Sequence, residues 1–386
     1  MHYIPKSGAF NAFNAITILS NIPSILVLVL VPYLLPSGTH FLLNVGFVFM
    51  VYRFGNILGA SIAPKIASQK KPHLLSSMYE CGNAIVSALI LVALIDGFIN
   101  LYHLSSLFFL KGMLGGLHSN TRFQWLKNLS TQTEVASKII VYTGAIVQAA
   151  FGIGGLLLLL HTDKNISFYK FIFFGDILTS VFAAALFFKL KSLQLPKSEP
   201  LKKSEQPPFW RNKILIPLYI ADIFIALAVA GTNMLIFKFG TEIILDPHGH
   251  AMALVIYSFG FITGSIVINE FKTKKFRPIW LLLFFTLACG GMYYFTYPLN
   301  IALYLLFFFL YPLLLLGLEK EWFENLSQDI AARVYAIRFI LLSILWALGE
   351  VLYANQDWEQ VLRMSFLSTG LVILCVMEIR KKAISL

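Results

Sequence analysis

Runs of about twenty residues with hardly a charge alternate along the chain with short segments where lysine, arginine, proline and serine collect. A helix needs about 20 residues to cross the hydrocarbon layer of a bilayer, so each run is long enough to span. The apolar positions are continuous and do not alternate with a period of two. Helices, and not the strands of an outer-membrane barrel, therefore satisfy the backbone hydrogen bonds. The pattern predicts twelve spans, at about 14–34, 41–62, 74–95, 103–122, 136–160, 166–189, 214–237, 250–269, 279–297, 299–318, 331–354 and 359–379. The ninth and tenth are joined tightly through Tyr297-Pro298-Leu299-Asn300. The expected fold class is an all-α integral membrane protein.

The pattern breaks once at length. From Lys189 the chain reads KLKSLQLPKSEPLKKSEQPPFWRNK, rich in proline, serine and lysine with no apolar period, which is the composition of a linker. It divides the chain into an N-terminal bundle of six helices (1–190), a linker (191–212) and a C-terminal bundle of six (213–386). Two stretches recur between these halves. Tyr52-x-Phe54-Gly55-x-Ile57-x-Gly59 in span 2 matches Tyr257-x-Phe259-Gly260-x-Ile262-x-Gly264 in span 8, at 257 − 52 = 205. Trp125-x-x-Asn128-Leu129-Ser130 after span 4 matches Trp322-x-x-Asn325-Leu326-Ser327 after span 10, at 322 − 125 = 197. Both matches join spans six apart, as a duplicated six-span unit requires.

Composition excludes a soluble protein. Of the 386 residues 58% are hydrophobic and 13% charged, against about a quarter charged in soluble domains, and the mean hydropathy is +0.75. The net charge of +11 points to topology and not to nucleic acid, because the basic residues gather in alternate loops. Those after spans 2, 4, 6, 8 and 10, with the C-terminus, hold most of them, including seven from Lys189 to Lys213, and the opposite side has little beyond Lys164 and Lys238. The positive-inside rule then places both termini and the linker in the cytoplasm, in an inner (cytoplasmic) membrane. No small-residue cleavage site follows the first run, which reads as an uncleaved span. Cys81, Cys289 and Cys375 lie in or beside apolar runs without metal spacing. No metal site and no cofactor is expected, and no nucleophile triad or phosphate loop points to an enzyme.

Polar residues inside the spans carry the candidate chemistry. Lys111 sits near the middle of span 4, and Gly115, His118 and Arg122 share its face at helical spacing. Span 1 carries a stripe of Asn14, Thr17, Asn21 and Ser24. Arg53 in span 2 and Glu80 in span 3 lie at similar depth and are expected to form a structural charge pair. Span 5 is rich in glycine, span 6 holds Asp176 among aromatic residues, and span 7 has Asp222 and Asn233 on one face.

Two parallel six-span halves form a repeat plan of secondary transporters, and the sequence resembles the major facilitator superfamily over essentially its whole length. Ala60 to Lys70 is a degenerate form of the family's G-x-x-x-D-R-x-G-R-R loop. Lys111-Gly-Met-Leu-Gly115-Gly116 has the spacing of a span 4 motif common in exporters, with lysine for arginine. Gly152-Ile153-Gly154-Gly155 keeps part of the antiporter signature of span 5 without its proline, and the segment from Asn120 to Ala136 resembles the enterobactin-exporter branch.

The resemblance implies a cavity lined by spans 1, 4, 7 and 10, which would assemble Asn14, Thr17, Asn21, Lys111, His118, Asp222, Asn233, Tyr304 and Tyr311. It also implies a proton-coupling role for Lys111. Asp222 is then the expected partner of Lys111, either as a coupling pair or as a static one. The function expected is proton-coupled export, by alternating access, of a small anionic organic solute such as a carboxylate siderophore. Uptake symport of a metabolite or ferric siderophore is the alternative, and a non-transporting sensor or scaffold is the lesser one. The expected partners are lipid, the solute and protons, with the chain acting as a monomer.

Overall fold

The structure is a computed structural model that describes residues 7–35, 41–67, 72–129, 133–160, 166–190, 215–240, 249–270, 278–295, 299–325 and 328–384. The predicted linker 191–212 and the side chains of Asn14, Trp125 and Asn325 lie outside the described residues. The described chain folds into twelve helices: α1 Ser7–Leu34, α2 Phe41–Ala67, α3 Pro72–Ile95, α4 Leu101–Leu129, α5 Thr133–Leu160, α6 Ile166–Lys189, α7 Leu215–Lys238, α8 Gly249–Glu270, α9 Pro278–Tyr294, α10 Leu299–Asn325, α11 Gln328–Ala354 and α12 Trp358–Ile384. Each predicted span falls on one of them. Among the described residues, nine helices are long and apolar enough by themselves to cross a membrane. α4 falls short of that measure, since Lys111, His118 and Arg122 interrupt its apolar run.

Local chemistry fixes several ends. Pro72 and Pro278 open α3 and α9, where a missing N–H costs nothing and the fixed φ is already helical. α3 closes on Gly97, whose φ of 71° is left-handed, and the Phe98 N–H reaches back to the Ala93 carbonyl in a Schellman turn. Asn100 then caps α4 by accepting the His103 N–H at 2.9 Å, and Asp357 caps α12 by accepting that of Gln360 at 2.7 Å.

The helices are built outside-in relative to a soluble bundle. On α3, Ile85, Leu89 and Val92 face outward while Ser76, Glu80 and Ser87 are buried. A chain surrounded by hydrocarbon has to turn its polar groups toward protein.

Packing separates the helices into two compact groups. The first holds α1–α4, α6 and α11 as far as Ile344; the second holds α5, α7–α10, α12 and the rest of α11. In the first, α2 lies directly on α4. A methyl group on Gly59 would strike the Met113 carbonyl and the Leu117 nitrogen, and Gly55, Gly112 and Gly116 are equally tight. In the second, α8 lies on α10 in the same way, with Gly264 against the Phe309 carbonyl and Gly260 against that of Leu305. The recurring Y-x-F-G-x-I-x-G motif is therefore a helix-contact motif, since only glycine lets two backbones approach so closely. The equivalence runs through both partners, as 264 − 59 = 205 and 309 − 113 = 196. The second offset is within one residue of the 197 found for the tryptophan motif.

Candidate functional site

The polar residues of the first group converge on Lys111. Its ammonium group is 5% exposed and donates to Asp176 Oδ2 at 2.8 Å, Asn83 Oδ1 at 2.7 Å and Ser87 Oγ at 3.0 Å. These three bonds use all three of its N–H groups. Asp176, on α6 and fully buried, also accepts the hydroxyls of Ser24 at 2.7 Å and Ser87 at 2.5 Å. Asn83 on α3 presents its carbonyl to Lys111 and its amide hydrogens to Ser24 and Ser180, at 3.0 and 2.8 Å. Glu80, one turn along α3, accepts the Ser20 hydroxyl at 2.5 Å. It also bonds Ser180 and feels the charges of Asp176 and Lys111. The network thus ties α1, α3, α4 and α6 together through two carboxylates and one ammonium.

A charge pair at this depth persists only when its remaining hydrogen-bonding capacity is filled. Here Ser24, Asn83 and Ser87 fill it.

Two expected pairings are corrected. Lys111 is bound by Asp176 and not by Asp222, since all its donors are spent on α3 and α6. Arg53 and Glu80 do not pair. Glu80 turns toward Ser20, and the Arg53 guanidinium lies over the Tyr52 ring at 5.5 Å. Their depths match, but direction around the helices does not: α2 packs on the glycine face of α4, and α3 packs on α4 through Gly82 and Leu114.

The other predicted site residues occupy distinct places. Thr17 is buried and Asn21 half-buried on α1, flanking Ser20 and Ser24, which bond Glu80 and Asp176. His118 lies 3.5 Å from Ser76 Oγ, between the rings of Tyr79 and Phe187, and makes no bond with Lys111. In the second group Asp222 is fully buried, and Asn233 donates to Glu350 Oε1 at 3.1 Å. Tyr304 stacks on Phe239 at 4.0 Å, and Tyr311 lies parallel to Phe307 at 6.2 Å. Both tyrosines are at most 2% exposed; the Tyr304 hydroxyl has no hydrogen-bond partner among the described residues, and that of Tyr311 lies beside Thr232. Among the described residues, no cluster of three or more His, Cys, Asp or Glu is arranged for a metal ion.

Sequence reasoning left Asp176, Asn83, Ser87 and Ser180 without a role, although a depth count finds the central pair. Lys111 is ten residues into α4 (111 − 101) and Asp176 ten into α6 (176 − 166). Both helices start from the same side of a serpentine chain, so each residue sits about 15 Å in, near the middle of the layer.

Against known proteins, no family model and no curated protein matches the sequence. Solved structures do match. The transporter FucP of the major facilitator superfamily, in its outward conformation, superposes with a TM-score of 0.67 at 14% identity, over 96% of this chain and 98% of that one. A bacterial homologue of the iron transporter ferroportin, in its outward-facing state, gives 0.66 at 12% identity over 97% and 99%. In its inward-facing state it gives 0.66 at 13% identity, over the same shares. The fold is that of the major facilitator superfamily, a twelve-helix, multi-pass membrane fold.

Proposed function

We propose that this protein is a secondary active transporter that moves a small organic solute by proton-coupled alternating access. The observation that carries this reading is the buried Lys111–Asp176 pair in a fold shared with transporters. An ion pair with this much supporting structure can exist in a paired and an exchanged state, and a ligand or proton that favours one of them biases the protein's conformations. The preferred cargo is anionic, such as a carboxylate siderophore, because a cargo carboxylate can take the place of Asp176 beside Lys111. Export across the inner membrane, with both termini cytoplasmic, follows from the span 4 motif and the loop charges. Within the same helix group the site also takes in Thr17, Asn21 and His118. The duplicated unit runs over 1–190 and 213–386 with 191–212 as the joining segment, and the chain works as a monomer.

Uptake symport is the second reading. FucP carries the description of a fucose:proton symporter, and a solute moving inward with a proton would use the same pair. The deciding experiment is flux in proteoliposomes of known orientation, with and without a pH gradient. The double variant Lys111→Met/Asp176→Asn, which removes both charges together, should fold and carry nothing. Unchanged flux of a transported solute in that variant would overturn the role of the pair, and the direction of the pH-driven flux separates export from uptake.

A further inference from the structure

The hydrogen-bond directions in the first group single out one carboxylate. The Ser24 hydroxyl receives an Asn83 amide hydrogen, so its own proton points at Asp176. The Ser87 hydroxyl receives a Lys111 hydrogen, so its proton also points at Asp176. With Lys111 itself, Asp176 accepts from three fixed donors, one of them an ammonium group, and these favour its ionised form. Asn83 cannot turn over to change this, because its amide nitrogen would then face the Lys111 ammonium.

Glu80 differs on one side. Ser180 receives the other Asn83 hydrogen and gives its proton to Glu80, but Ser20 makes a single bond, to Glu80 Oε1. Ser20 can therefore rotate from donor to acceptor without breaking another contact. The charges agree with this. Lys111 balances Asp176, which leaves Glu80, 4% exposed, as the surplus negative group among the three.

We propose that Glu80 is a proton-binding site, loaded and emptied by rotation of the Ser20 hydroxyl. This rests on the proton-coupled reading above for its purpose and on the bond directions for its location. Loading transfers a proton to Glu80 Oε1, which then donates to Ser20 Oγ; unloading reverses both steps. The groups facing the carboxyl suit a proton and not a metal cation, because they are hydroxyl hydrogens, while the Asn83 amide oxygen is committed to Lys111. The charged and titratable neighbours are Lys111 from α4 and Asp176 from α6, and the α1 residue bonded to the carboxyl is Ser20. His118 of α4 is directed to Ser76 and Tyr79.

The test is pH-difference infrared spectroscopy of the purified full chain in liposomes, with no solute added. A protonated-carboxyl band that titrates with pH should vanish in Glu80→Gln. It should persist but shift in frequency in Ser20→Ala, which keeps the carboxyl and removes its rotating partner. A titrating band untouched by both variants, or one that is displaced by sodium ions at constant pH, would overturn the assignment. If Glu80→Gln does not fold, the Ser20→Ala shift decides alone: a shift supports the site and an unmoved band removes it. The measurement involves no transport, so its failure is distinguishable from failure of the transporter reading.

Discussion

The two helix groups share a packing device and differ in what it encloses. α2 on α4 and α8 on α10 meet through equivalent glycines, yet the interiors beside them are unlike. In the first group, position 111 is a lysine held by Asp176, Asn83 and Ser87. At the same offset of 196 in the second group stands Phe307, fully buried, edge-on to Phe285 at 5.5 Å and parallel to Tyr311. Tyr304, Phe308, Tyr257 and Phe261 extend that aromatic interior. Backbone packing and interior chemistry are therefore separable in this fold. Glycines set how close the helices come, and the enclosed side chains decide whether the bundle is a rigid aromatic stack or a rearrangeable ionic network.

The strongest way to break this contrast is to leave the network half-charged. Lys111→Ala strands Asp176 in the interior and should cost about 3–5 kcal/mol of stability, read by thermal unfolding in detergent. The double variant that removes both charges should recover most of that loss while remaining inactive. The converse change places a charge in the aromatic group. Phe307→Lys should cost about 2.5–3.5 kcal/mol, since no carboxylate is bonded at that place. A stable protein would mean that the two interiors are interchangeable. The shared device is tested next. Gly59→Ala and Gly264→Ala should each cost about 1–3 kcal/mol and by similar amounts, whereas Gly175→Ala, with open space around it, should be neutral or slightly stabilising. A loss confined to one of the first two would break the equivalence of the helix pairs. The least change is expected from Tyr304→Phe. It removes a buried hydroxyl with no partner among the described residues and should change stability by less than about 0.5 kcal/mol; a larger loss would give that hydroxyl a role that the aromatic stack does not.

The twelve helices were legible in the sequence because an apolar run of spanning length has one structural solution in a bilayer. The repeat was legible because helices in direct backbone contact tolerate only glycine at the crossing, which leaves a recurring mark in the sequence. Lys111 was legible as an anomaly for the same solvent reason.

Its partner was not. Asp222 and Asp176 are both acids in apolar helices, and an unaligned sequence ranks them equally; depth favours Asp176, and only packing settles it. Arg53 and Glu80 show the opposite failure, matched in depth but separated by direction around α4. Ser20, Asn83, Ser87 and Ser180 were invisible as a site, since single serines and asparagines on apolar helices look alike whether they bridge neighbours or back-bond their own turn. The sequence alone determined the number of helices, their approximate positions and the cost of burying a lysine, because these depend on the bilayer as solvent. The tertiary structure alone decided which groups meet, because hydrogen bonds at about 3 Å depend on helix rotation and register, and neither is written in the pattern of hydrophobic and polar positions.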